Sequence, residues 1–354
     1  MTWSTDVHMV LYAPNVHTGG GIVLLQSLLT AWPQSRALVA FLDERARGHL
    51  EIPRIARVNW VPPRPIARLG AEFALRNAAN QSSQVLCFHG LPPLLALSAK
   101  VVVLLQNRLH FSPEDNTHLR QKTRLRLAFE RQIATSCRHH VSEYIVQTSE
   151  MRRAALAWYA RNGFRGTPII RVLPFFEPLP IDDSCPGSKP EWDFVYVADG
   201  QAHKNHRTLV AAWQLLAQDG LHPTLALTLT ERDRTLLHDI EVIKTNERVR
   251  IHNLGAMTRK EIMTLYTSAR ALIFPSTSES FGLPLIEASL VGTPILASEL
   301  DYVREVCVPT QTFNPNSPLS IARAVKRFLG CAEPILKLSS AEQFWDEVIR
   351  RPGL

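Results

Sequence analysis

Two glutamates, Glu279 and Glu287, lie eight positions apart in the segment 276–298 and enclose mostly apolar residues. The Phe-Gly-Leu run at 281–283 predicts a turn into a helix that has Pro284 in its first turn. Free N–H groups at such a helix start form a site for phosphate. Carboxylates accept hydrogen bonds from sugar hydroxyls, so this pair could hold the two sugars that flank a diphosphate. Spacing alone equally permits that both carboxylates only favour the helix N-terminus electrostatically.

Three consecutive glycines, Gly19, Gly20 and Gly21, follow the first predicted strand and open a helix. Glycines there let a ligand approach the backbone and turn N–H groups and the helix dipole toward an anion. The alternative is a plain strand-to-helix turn, although three glycines exceed what a turn needs. Because the stretch lacks the G-x-G-x-x-G spacing, it favours ligand contact without indicating a dinucleotide.

His89 and Lys204 each follow a predicted strand. A histidine at a strand end could hydrogen-bond a sugar hydroxyl, whereas a satisfied, partly buried histidine is the alternative. A lysine there would be a mobile cation suited to a diphosphate, and a lone surface lysine is the alternative. Because each residue lies at the end of a strand, ligand contact is the favoured interpretation for both.

The elements that must position these residues are short apolar strands alternating with helical patterns, which is typical of β-α-β units around parallel sheets. A proline-rich stretch at 174–191 indicates a linker. We predict an N-terminal domain at 1–177, a linker at 178–191 and a C-terminal domain at 192–354, whose last helix, near 340–350, could pack on the first domain. A ligand site is expected between the carboxyl ends of the two sheets. The predicted strands are 7–13, 37–42, 56–61, 84–89, 101–106, 143–148, 169–173, 193–198, 224–229, 249–254, 271–275 and 294–298.

The composition is that of a globular protein of 354 residues with a formal net charge of +7. Residues 1–177 contain 21 Lys/Arg and 11 Asp/Glu, a net charge of +10. Residues 178–354 contain 18 Lys/Arg and 21 Asp/Glu, a net charge of −3. The first half is therefore expected to face an anionic molecule or surface. No nucleic-acid-reading module accompanies the basic residues, so we expect no nucleic-acid partner.

The location predicted from the sequence is cytoplasmic. No run of about 18 apolar residues exists, and the N-terminus lacks the pattern of a signal peptide. Five widely spaced cysteines without a C-x-x-C pair argue against a disulfide framework and a zinc site.

The segment from Glu279 to Glu287 resembles the E-x7-E motif of retaining glycosyltransferases of family 4, which have the GT-B fold of two Rossmann-like domains facing a cleft. The match over the surrounding segment 271–298 is highly specific, and weaker matches occur in the family's order at Gly19–Gly21, His89, 146–156, 203–205 and 253–266. The resemblance thus extends over most of the chain.

The resemblance implies a nucleotide-sugar donor, UDP- or GDP-linked, and no further cofactor. It implies that Glu279 contacts the donor sugar and that His89 lies beside it. Glu287 would bind the ribose and Lys204 the diphosphate. The remaining implied contacts are Gly20 and Gly21 with the phosphate and acceptor, Phe281, Gly282 and Leu283 with the sugar and diphosphate, and Met257 with the nucleobase.

Two positions depart from the family pattern. Asp199 stands where the family commonly has an arginine, five residues before the lysine, and Pro174-Phe175-Phe176 replaces an Asn-Gly pair. The first departure removes an expected cation from the diphosphate. Enzymes of this kind retain anomeric configuration by a front-face reaction. The sequence shows no D-x-D near a strand end, so we expect activity without a bound metal.

The segment 119–140 carries six Lys/Arg and one acidic residue, with Leu125, Phe129 and Ile133 at helical spacing. It could rest on anionic headgroups at the inner face of the cell membrane or steer a lipid-linked glycan, and a charged face over a core stripe is the alternative. We expect a lipid-linked acceptor in bacterial surface polysaccharide synthesis (O-antigen or capsule). The alternatives are a nucleotide-sugar epimerase of the same architecture and a non-catalytic nucleotide-sugar-binding protein.

Overall fold

The computed structural model describes residues 9–111, 121–162, 168–176, 190–247 and 249–331. Within them lie two fully parallel sheets, each flanked by helices. The predicted two-domain α/β architecture is confirmed. The domain boundary at 177/178 and the helix near 340–350 lie outside the described residues, so these stay predictions.

The first sheet has the strand order β3-β2-β1-β4-β5-β6-β7. Its strands bury both faces: Val10 and Tyr12 pack with α2 and α4, whereas Leu11 and Ala13 pack with α1. This is why its strands read as continuous apolar runs. The elements are β1 Met9–Ala13, α1 Gly19–Thr30, β2 Leu38–Asp43, β3 Ala56–Val61, α2 Pro65–Ala78, β4 Gln84–Cys87, β5 Lys100–Leu104, α3 Gln121–Ser136, β6 Glu143–Val146, α4 Ser149–Arg161 and β7 Ile170–Val172.

The second sheet has the order β10-β9-β8-β11-β12-β13 around one core. Its helix α7 begins at a capping box, in which Thr258 and Glu261 satisfy each other's backbone N–H groups. The elements are β8 Trp192–Tyr196, α5 His206–Gln218, β9 Leu225–Leu227, α6 Arg234–Glu247, β10 Ile251–Asn253, α7 Arg259–Thr267, β11 Ala269–Phe274, α8 Leu283–Leu290, β12 Ile295–Ser298, α9 Asp301–Val306, β13 Gln311–Phe313 and α10 Pro318–Phe328.

The domains meet through α4 and α9. The carboxylate of Glu305 accepts a hydrogen bond from the backbone N–H of Glu150 at 3.1 Å and lies 3.2 Å from Arg153. A residue of the second domain therefore supplies negative charge to the N-terminus of a helix in the first, which favours their contact. Close to the cleft, the backbone N–H of Arg108 donates to the hydroxyl of Ser280 at 3.3 Å.

Candidate active site

Lys204 and Glu279 form an ion pair in the cleft between the domains. The Nζ atom of Lys204 lies 2.6 Å from Oε1 of Glu279, and the side chains are only 16% and 11% exposed. Lys204 follows β8 and Glu279 follows β11, and these strands are neighbours in the second sheet. The carboxyl ends of parallel strands thus bring together residues 75 positions apart. The lone-surface-lysine alternative is wrong.

Backbone contacts fix the two loops that carry this pair. The N–H of Thr277 donates to the carbonyl of His203 at 2.8 Å, and the hydroxyl of Tyr196 donates to the carbonyl of Lys204 at 2.7 Å. The hydroxyl of Tyr302 donates a hydrogen bond to the carbonyl of Ser276 at 2.7 Å. Because these groups are paired with one another, they hold in place the two loops that carry the ammonium and the carboxylate.

Glu287 lies in the second turn of α8 with a largely buried side chain. Its carboxylate is 3.3 Å from Nε of Arg259 and accepts a hydrogen bond of 3.4 Å from the hydroxyl of Tyr266. Burial raises the pKa of Glu287, and the neighbouring Arg259 counteracts that rise. Because the first turn of α8 has no acidic residue, the interpretation of Glu287 as a purely electrostatic partner of the helix N-terminus fails.

The N-termini of α1 and α8 meet across the cleft. A Cβ atom added to Gly20 would lie 2.9 Å from Cδ1 of Leu283, and one added to Gly21 would lie 3.3 Å from the side chain of Gln106. Gly282 precedes α8 with φ of 72°, a conformation that favours glycine. Both helix dipoles therefore direct positive charge into the same space.

His89 and Met257 lie on opposite domains. His89 is half-buried, with Nδ1 3.3 Å from the carbonyl oxygen of Tyr12. Burial lowers the pKa of His89 to about 4, so its ring is neutral near pH 7. Strand β4 ends two residues before His89, so the predicted strand was too long. Met257 is partly buried against the second core, after β10.

The two departures from the family pattern have clear local roles. The exposed Asp199 accepts hydrogen bonds from the backbone and side chain of Gln201 and shapes the turn before Lys204. The ring of Phe176 lies 4.9 Å from the guanidinium carbon of Arg259, a cation–π contact. Sequence reasoning missed Arg259, although its place directly after the capping residue Thr258 puts it at a helix start facing the cleft.

His206, the first residue of α5, is a buried histidine directly beyond this site. Neither ring nitrogen has a hydrogen-bond partner among the described residues, and the ring packs against Tyr196. Burial lowers its pKa to about 3. An unfolded chain binds a proton at His206 below pH 6.5 and the folded chain does not, so the pKa shift destabilises the fold as pH falls from 6.5 toward 3.

Replacing His206 with phenylalanine should remove this penalty while keeping the ring packing. We expect the variant to lose less stability than the wild type between pH 7 and pH 5, by about 1–2 kcal/mol. Urea unfolding at both pH values measures the difference, with the exposed His222→Gln as the control. If the stability of the wild type and that of the variant fell equally between pH 7 and pH 5, His206 would not be the source of the penalty.

A cavity of about 430 Å³ lies between the domains. Phe175, Phe176 and Phe281 line it together with Gln147 and Glu305. Gln147 is buried, and its amide nitrogen has no hydrogen-bond partner within the described part of the chain. The lining offers aromatic faces and polar groups next to Phe281, which precedes α8. Such a combination suits a sugar ring.

The helix α3 carries two exposed apolar side chains. Leu125 and Phe129 are 65% and 67% exposed, whereas Leu127 is fully buried. The alternative, in which a charged face covers a core stripe of Leu125 and Phe129, is therefore wrong. None of the described helices is long and apolar enough to cross a membrane.

Two facing Rossmann-like domains, with a candidate site at the carboxyl ends of both sheets, define the GT-B class of fold. The crystal structure of Anabaena Alr3699/HepE in complex with UDP-glucose has this fold, with a TM-score of 0.64 and 17% identity over 91% of this chain and 89% of that one. Residues 184–343 match the sequence model of the glycosyl transferases group 1. The chain is thus similar to that family over residues 184–343, and this match agrees with the family prediction.

Two curated relatives from Escherichia coli are similar to parts of the chain. The serotype-specific mannosyltransferase WbdA is 26% identical, over 55% of this chain and 26% of the relative. The O-antigen chain mannosyltransferase B is 30% identical, over 32% of this chain and 30% of the relative. The chain thus spans less than a third of the length of either relative.

Proposed function

We propose that the protein is a retaining glycosyltransferase that moves a sugar from a nucleotide sugar to a hydroxyl of an acceptor glycan. The observation that carries this proposal is the Lys204–Glu279 pair between the starts of α1 and α8. Preorganised cations and helix N-termini stabilise the negative charge of a leaving diphosphate. Similarity to O-antigen mannosyltransferases supports a role in bacterial surface polysaccharide synthesis.

The proposed contacts assign each part of the donor to residues that surround the cleft. Glu279 contacts the transferred sugar beside His89, and Lys204 binds the diphosphate. Glu287, oriented by Arg259, binds the ribose hydroxyls. The other proposed contacts are the backbone of Gly20, Gly21, Phe281, Gly282 and Leu283 with the diphosphate and sugar, and Met257 with the nucleobase.

In the proposed front-face reaction, the bond from the anomeric carbon to the phosphate oxygen breaks as the acceptor oxygen bonds to the same face of that carbon. The departing phosphate oxygen takes the acceptor proton. The protein's part is to orient both substrates and to stabilise the leaving charge. The cavity beside Phe281 offers room for the acceptor glycan next to the transferred sugar.

The test is a thermal-shift screen with UDP-, GDP- and TDP-sugars, because a bound donor stabilises the folded protein by mass action. The stabilising donor is then incubated with and without candidate acceptors. Acceptor-dependent nucleotide release supports transfer. Isomerisation of the sugar without acceptor would instead support an epimerase, and stabilisation without turnover a binding protein.

We also propose that transfer needs no bound divalent metal. Among the residues that the structure describes, no group of three or more His, Cys, Asp or Glu is placed to hold a metal ion. Treatment with EDTA is expected to leave the transfer rate unchanged. Loss of activity that magnesium or manganese restores would count against metal independence and leave the transferase proposal standing.

A further inference from the structure

The outer face of α2 carries one exposed charged residue, Arg76, whereas charged residues usually cover a helix that faces solvent. Ile66 is 86% exposed, and Leu69 and Phe73 follow it along the same exposed stripe. The other exposed residues of α2 are Pro65, Gly70, Ala74, Arg76 and Asn77. An apolar stripe of this kind on one face of a domain indicates an interaction surface.

The single carboxylate of α2 points inward. Glu72 accepts hydrogen bonds from the hydroxyl of Tyr12 at 2.7 Å and from the backbone N–H of Leu94 at 2.8 Å. The outer face of the helix therefore carries no negative charge. The side chain of Leu94 is itself exposed and apolar, and this backbone bond ties its loop to α2.

The helix α3 continues this surface on the same side of the first sheet. Its end contacts the loop of Leu94, because Sγ of Cys137 lies 4.0 Å from the carbonyl oxygen of Leu94. Leu125 and Phe129 project into solvent beside Arg124 and Arg126, which are also exposed. We call Ile66, Leu69, Phe73, Leu94, Leu125 and Phe129 the α2–α3 surface.

Charge identifies the occupant of this surface. The exposed arginines Arg76, Arg124 and Arg126 accompany the apolar side chains, and no exposed residue of α2 or α3 in the described chain is acidic. A second copy of this face would bring arginines against arginines. An anionic lipid bilayer instead offers an apolar interior to the side chains and negative headgroups to the arginines.

We propose that the α2–α3 surface docks on an anionic membrane. The helix α2 follows β3 closely, so it begins at the edge of the first sheet that faces the cleft. A bilayer against this surface lies beside the cleft and would present an acceptor held by a lipid. This inference rests on the proposed function for its purpose, and on the exposed side chains for its physical basis.

The test is co-sedimentation of the full chain with vesicles of phosphatidylcholine containing 30% phosphatidylglycerol, an anionic-lipid fraction chosen as roughly that of a charged leaflet. The wild type should bind these vesicles and release them at high salt. The double variant Ile66→Ser/Phe73→Ser should lower the partition coefficient by about tenfold or more. The variant Arg124→Gln should lower it by about fivefold.

The matched control is Val308→Ser, because Val308 is a 91% exposed apolar residue of the second domain. This variant should bind like the wild type. Equal binding by the double variant, or no binding by the wild type, would overturn the proposal. A concentration-dependent dimer that the double variant abolishes, without vesicle binding, would also overturn it in favour of a second copy. Donor-induced thermal shifts measured on the same variants separate failure of docking from failure of the proposed transferase.

Discussion

Replacement of Glu279 by alanine is expected to lower the rate of sugar transfer by about 100-fold or more, with a much smaller change in donor affinity. Glu279 holds the ammonium of Lys204 at 2.6 Å. Without the carboxylate, the ammonium loses its fixed position and the transferred sugar loses a contact. Both effects act on the bond-breaking step, so kcat should fall. Acceptor-dependent nucleotide release gives kcat, and titration calorimetry gives the donor Kd.

The control for Glu279→Ala is Asp219→Ala. Asp219 also pairs with a lysine, Lys326, at 2.7 Å, but it lies at the end of α5 that points away from the cleft. Its loss should leave transfer unchanged. The conservative variant Glu279→Gln keeps a hydrogen-bond acceptor for Lys204 without the charge, and intermediate activity is expected. A weakened donor Kd with unchanged kcat in Glu279→Ala would reverse the assignment.

Replacement of Glu287 by alanine should weaken donor binding by about 10- to 100-fold and affect kcat less. The carboxylate offers its oxygens to ribose hydroxyls, contacts that are equal in the ground and transition states. The variant also leaves Arg259 without this partner, so we expect a stability loss of about 1–3 kcal/mol. Calorimetry with the nucleoside diphosphate measures the first effect, and urea unfolding measures the second.

Asp239→Ala is the comparison for Glu287→Ala, since Asp239 pairs with Arg207 at 3.2 Å on the protein surface. Exposed pairs contribute little to stability, so this change should be near neutral. The isosteric variant Glu287→Gln should retain most of the stability and still bind the donor less tightly. If Glu287→Ala impaired kcat while Kd stayed constant, Glu287 would not be the ribose contact.

Much of the fold could be predicted because parallel strands buried on both faces are continuous apolar runs. Each of the twelve predicted strands overlaps an observed one. Among the described strands, the one that no predicted strand overlaps is β13, Gln311–Phe313. It is a three-residue edge strand in which only Phe313 is fully buried. Its short polar sequence carries no periodic signal, and its pairing with β12 depends on the tertiary fold.

The candidate site was only partly predictable. The positions of Glu279, Glu287 and Lys204 after strands indicated the cleft, but the contact of Lys204 with Glu279 follows from strand order, which local patterns do not encode. The sequence left the orientation of α3 open for a similar reason. Leu125, Phe129 and Ile133 fit helical spacing, yet the fold turns Leu127 inward instead.

The contact of Phe176 with Arg259 joins the chain between the domains to the carboxylate proposed to bind the ribose. Phe176 belongs to the segment that leaves the first domain, whereas Arg259 and Glu287 belong to the second. A rotation of one domain against the other would move the ring away from the guanidinium. If Glu287 binds the ribose as proposed, opening of the cleft would remove a contact that supports Arg259 and, through it, Glu287, and nucleotide affinity would then depend on the angle between the domains.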